Sequence, residues 1–163
     1  MTLKRMPLSV WGIFIATVLG LLAFLNNLFN IASAQSFVSA VLSAPEQPWY
    51  KVFGPTLGAP WHGWLGLAVI MAGELAAGLL GFAGAVCMWK DRAAPAVDFK
   101  RARTLAVAGG AIGMFVWYGF FIVIGELYFN MWQTELGLGS VGGAFRYGTV
   151  CAALTLFIAL REE

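Results

Sequence analysis

Charge is scarce in this chain. Only 11% of its 163 residues are Asp, Glu, Lys or Arg, against about 25% in soluble domains. With a 60% share of hydrophobic residues and a mean hydropathy of +0.79, that scarcity excludes an ordinary soluble domain and places the chain in a bilayer. Histidine is nearly absent. The single His62 excludes a haem held by two histidines of this chain and any site that needs several imidazoles. The two cysteines, Cys87 and Cys151, both lie inside apolar runs and form no CxxC pair, so there is neither a disulfide framework nor a zinc signature. No cofactor and no bound metal is expected. The net charge of +2 does not mark a nucleic-acid partner, because the positive residues fall in short segments between apolar runs, where they act as topology signals.

Four runs are long enough to cross about 30 Å of hydrocarbon as helices. They cover residues 7–29, 63–89, 104–127 and 143–160, and the chain reads as a single all-α domain, a four-transmembrane-helix bundle. The start of the first run imitates a secretory signal, with Lys4 and Arg5 before it and a small-residue "ASA" at Ala32 to Ala34. Its apolar stretch exceeds the roughly 7 to 15 residues of a signal core, so it is read as a helix. Lys4, Arg5, Lys90, Arg92, Lys100, Arg101, Arg103 and Arg161 fall on one side and only Lys51 on the other, which predicts cytoplasmic N and C termini. Asp98 is the expected N-cap of the third helix.

The first external segment, Ile31 to His62, holds Phe37, Val38, Val41 and Leu42 at helical spacing against Gln35, Ser36, Ser39 and Ser43. That pattern predicts a short interfacial helix before Pro45, Pro48, Pro55 and Pro60 break the chain. The second external loop is expected over about Tyr128 to Gly142, ending in "GLGSVGG". Trp49, Trp61, Trp64, Tyr128 and Trp132 gather at this boundary, where amphipathic rings are favoured. His62, between Trp61 and Trp64, reads as a hydrogen-bonding anchor rather than a metal ligand. "NNLFN" (Asn26 to Asn30) and "ELYFN" (Glu126 to Asn130) match position by position at the ends of two helices, too briefly to establish an internal repeat.

Lipid tails are as apolar as leucine, so helices in a membrane associate through close packing and polar contacts. Gly73, Ala77, Gly81 and Ala85 on the second helix, and Ala102, Ala106 and Gly110 beside Gly109 and Gly113 on the third, make small-residue stripes suited to close approach. Helix packing within the chain and self-association both fit them.

The polar residues inside the spans are the candidate site. Glu74 sits about 16 Å down the second helix, Glu126 near the outer end of the third, Arg146 about one turn inside the fourth, and Asn26 and Asn27 at the end of the first. A charge at the bilayer centre costs about 2.5–3.5 kcal/mol on insertion scales, so these groups should face inward and find partners. Arg146, the only cation inside the spans, is expected to hold Glu126. Three readings of the cluster are open: a polar clasp between helices, a binding site for a small polar molecule, ion or quinone headgroup, and proton-coupled transport with Glu74 titrating, which pH-dependent vesicle uptake would reveal. Ser33, Ser36 and Ser39 have no histidine near them in sequence, which argues against a nucleophilic enzyme.

The series "FLNN", "GEL", "FKRARTLAVAGGAIGMFVWYGFFIVIGELYFNMWQ" and "AFRY" resembles a family of bacterial predicted small integral membrane proteins of unknown function, over nearly the whole chain. Asn26, Asn27, Glu74, Glu126, Trp132, Gln133, Phe145 and Arg146 fall at positions similar to that family's pattern. The resemblance implies four spans in a bacterial inner membrane and supplies no activity. Together the residues and the resemblance point to a non-enzymatic protein of the cell inner membrane, in contact with the lipid bilayer, that binds within or serves as accessory subunit to a larger membrane complex, or self-associates. An oligomeric transporter of ions or small molecules that uses Glu74 is the alternative.

Overall fold

The computed structural model describes residues 11–12, 20–44 and 49–160. Most of the expected first span lies outside them, as do Lys4, Arg5, Pro45, Pro48 and Arg161. Among the described residues every regular element is helical. We label them α1 (Leu22–Phe29), α2 (Ile31–Ser43), α3 (Pro60–Lys90), α4 (Ala96–Met114, prolonged by a wider helix over Phe115–Tyr128) and α5 (Glu135–Leu160). Three rods are long and apolar enough to cross a membrane: Pro60–Ala93, Ala96–Tyr128 and Glu135–Leu160.

The rods start earlier than the apolar runs do. Pro60 opens α3 with a φ suited to the first helical position, and His62 Nδ1 accepts the Ala59 N–H at 3.1 Å to close that end. At α4 the expected cap is displaced. Pro95 holds the N-cap position, and Asp98 stands in the first turn, where its charge complements the helix dipole. The largest departure concerns "GLGSVGG", expected as loop and found inside α5. Thr134 Oγ1 accepts the Gly137 N–H at 3.0 Å, which is a side-chain N-cap directly followed by Glu135. Of the glycines there, Gly137 serves packing, since a Cβ on it would collide with the Met131 carbonyl.

The buried positions of α5 are Gly137, Val141, Ala144, Gly148, Cys151, Thr155 and Ile158, alternately four and three residues apart. That is the seam of a helix packed along its whole length. Cys151 is buried, and its Sγ–H reaches the Gly110 carbonyl at 3.3 Å, as befits a structural thiol. The most extensive contact joins α3 to α4, and here the small-residue stripes serve packing within the chain. A Cβ on Gly84 would strike the Ala106 backbone, and one on Gly109 would lie 2.6 Å from the Gly81 nitrogen.

The helix expected in the first external segment is present as α2, and it folds back on α3. Val38 is buried, and a Cβ on Gly66 would meet Val38 and Leu42 at 2.9 and 3.3 Å. The likeness of "NNLFN" and "ELYFN" does not extend to conformation. Asn30 (φ −114°) bends the chain from α1 into α2, whereas Asn130 (φ 52°) is left-handed, a conformation asparagine tolerates better than most residues.

Candidate functional site

Glu74 is 1% exposed, held on α3 one turn before Gly78. The backbones of Gly20 and Gly78 touch, and Asn27 lies seven residues from Gly20, on the same face two turns on. The Asn27 Nδ2 group thereby reaches the carboxylate and donates to Oε1 at 3.0 Å and Oε2 at 2.9 Å. One amide spans both oxygens and brings no charge.

These two residues line a cavity of about 470 Å³ bounded by α1, α2, α3, the wide helix after α4, and α5. Asn26 lies at its rim, bonded by Asn30 Nδ2, which donates to the Asn26 carbonyl at 2.9 Å. Trp117, Phe121, Ser140 and Tyr147 complete the wall. The Trp117 ring sits 5.3 Å from Phe121 and 5.1 Å from Tyr147. Trp117 is only 8% exposed, and its Nε1–H has no hydrogen-bond partner. Leaving a buried donor unpaired costs about 1–3 kcal/mol, so this indole stands out as much as the carboxylate does. Its signal was available in the sequence, because tryptophan favours the interface and Trp117 lies far inside a span.

The expected Glu126–Arg146 pair is not formed. Arg146 is exposed on α5 and Glu126 half-buried on the wide helix, and no ion pair joins them. Arg146 lies two residues past Ala144 of the buried seam, about 200° around the helix, so it leaves on the opposite side. Phe145 beside it is 58% exposed. The cluster therefore divides: Glu74, Asn27 and Asn26 come together, while Glu126 and Arg146 stay apart from them.

The aromatic residues of the boundary divide as well. Trp61 and Trp64 are exposed, with the Trp61 ring 3.9 Å from His62, and they fit an interfacial belt. Tyr128 and Trp132 instead hold the segment between α2 and α3. Tyr128 donates to the Pro55 carbonyl at 3.1 Å and meets the Phe53 ring edge-on at 4.8 Å, and Trp132 lies 5.7 Å from Tyr50. Gln133 makes the firmest hold. Its Oε1 accepts the N–H groups of Trp49 and Tyr50 at 2.9 and 2.8 Å, and its Nε2 donates to the Tyr50 carbonyl at 2.8 Å. Replacing Gln133 by Ala should speed hydrogen exchange of those two amides about tenfold. Unchanged exchange, read by mass spectrometry of the detergent-solubilised protein, would mean that the clamp carries no weight.

Three long apolar rods with a carboxylate sequestered between them define an integral membrane protein. The family model described as predicted small integral membrane protein (DUF2165) matches residues 8–161. The chain belongs to that family, whose function is unknown. No curated protein and no solved structure matches it.

Proposed function

We propose that this is a non-enzymatic protein of the bacterial inner membrane that binds a small molecule in the Glu74 cavity, acting as a binding or accessory subunit of a larger membrane assembly. One observation carries the reading: Glu74, with its buried carboxylate, and Trp117, whose indole N–H is buried and unpartnered, are residues of the same cavity wall. Pockets of this kind, mostly apolar with a few polar groups converging, are where small ligands bind. The groups that a catalyst would draw on are engaged otherwise. His62 Nδ1 accepts the Ala59 N–H, and Ser39 Oγ accepts from Gln35 Nε2 at 2.9 Å. The Lys and Arg bias supports placing the basic end, with Lys90 and Arg101, in the cytoplasm. A large partner recovered at fixed stoichiometry after gentle solubilisation is the mark of the accessory role, and a chain recovered alone counts against it.

Gly143 gives the direct test of the cavity. It lines the space, and a Cβ built on it meets nothing nearer than the Tyr147 ring at 3.9 Å, so a larger side chain grows into the void without moving backbone. Gly143→Leu should keep or raise the melting temperature and lose the small molecules that copurify with the wild-type chain, as seen by mass spectrometry of extracts. Equal recovery of the same molecules from both proteins would remove the cavity as the binding site.

A further inference from the structure

We infer that the Glu74 cavity is shaped for an organic ammonium ion carrying a hydrogen-bond acceptor next to its charge. The inference rests on the binding role proposed above and names the ligand's chemistry. Asn27 gives the carboxylate hydrogen bonds but no countercharge, and among the described residues no cation forms an ion pair with Glu74. Ionisable groups inside a membrane are commonly paired with one of opposite charge.

The walls decide which kind. Among the described residues no group of three His, Cys, Asp or Glu gathers anywhere, so a hard metal ion, which takes six or more oxygen ligands or keeps its own waters, finds no cage here. Four of the residues that line the cavity with Glu74 are aromatic: Phe37, Trp117, Phe121 and Tyr147. Aromatic rings attract alkylammonium groups through their negatively charged faces, and enclosures of several rings are the recurrent solution for holding them. The unpaired Trp117 Nε1–H gains a partner when the same ligand carries an acceptor, such as an ether, ester or phosphate oxygen.

A second void supplies room for an apolar portion. A groove of about 280 Å³ beside Val41, Leu65 and Phe129 shares Phe37, Val38, Ile70 and Phe121 with the Glu74 cavity. A ligand with an ammonium head in the Glu74 cavity and a hydrocarbon or aromatic body meets apolar side chains common to both voids. An aminophospholipid headgroup and a free amphiphilic amine share this chemistry.

The test uses the full chain in mild detergent with 2-phenoxyethylamine as probe, its neutral isostere 2-phenoxyethanol as control, and native mass spectrometry with phosphatidylethanolamine against phosphatidylglycerol. Saturable quenching of tryptophan emission by the amine is expected, with affinity about tenfold or more above that of the alcohol. Glu74→Gln should remove that preference, and Trp117→Phe should weaken amine binding about threefold to tenfold. Selective retention of phosphatidylethanolamine, lost in Glu74→Gln, assigns the ligand to a lipid, whereas amine binding without lipid preference assigns it to a free amine. The comparison of amine with alcohol on the wild-type chain stands even if a variant does not fold. Equal binding of amine and alcohol would overturn the ammonium assignment and leave the cavity a binding site. Binding of neither probe and neither lipid would overturn both.

Discussion

Asn27→Leu should destabilise the folded chain by about 2–4 kcal/mol, because it strips a buried carboxylate of both its hydrogen bonds while leaving it in place. The Asn27–Glu74 contact, at 2.9 and 3.0 Å, is the side-chain bond that fixes α1 to α3. Replacing both partners by leucine should recover most of the loss, since an apolar pair of similar volume leaves no unsatisfied group. A double-mutant cycle of equilibrium unfolding in mixed micelles measures the coupling. If Asn27→Leu unfolds with the wild-type chain, or if the double variant is as unstable as the single, the contact is incidental.

Gly84→Ala should cost about 1–3 kcal/mol, the usual penalty for overfilling a packed interior. The added methyl would stand 2.7 Å from the Ala106 Cα, and backbone cannot step aside as a side-chain tip can. Gly139→Ala is the matched control. It lies in α5 with nothing within 4 Å of its built Cβ, so the helix preference for alanine, up to about 1 kcal/mol, acts unopposed. The same substitution thus has opposite signs at two glycines, and melting temperatures in one detergent decide it. A stable Gly84→Ala would mean that α3 and α4 are free to separate.

Much of this arrangement was legible in the residues. Span length and hydropathy marked the three rods, and the four-residue stripes around Gly81 and Ala106 marked the surfaces by which α3 and α4 meet. The depth of Glu74 marked it as the residue to question, and Asn27 was read into the same polar cluster. Arg146 was misplaced because depth along a helix was weighed without its angle around it; the alternation from Val141 to Cys151, written plainly in the sequence, puts it on the far side. The helical start of α5 was hidden by its glycines, which look like loop residues unless Thr134 is recognised as a cap. Widening of the helix after Met114 left no signal, since its bulky apolar run reads as an ordinary α-helix. The aromatic wall could not be foreseen, because it draws on residues from distant parts of the chain that only the packing brings together.

The clamp at Gln133 has a further consequence. Its three bonds to Trp49 and Tyr50 join a neutral amide to neutral peptide groups, so none of these gains or loses a proton or brings net charge together. Salt screens attraction between charges and has little purchase on such bonds. An exposed segment anchored by ion pairs would loosen as acidity or ionic strength changed around it. Through these bonds and the Tyr128 hydroxyl on the Pro55 carbonyl, residues 49–57 are held to the rest of the molecule in the same way whether the surroundings are dilute or briny.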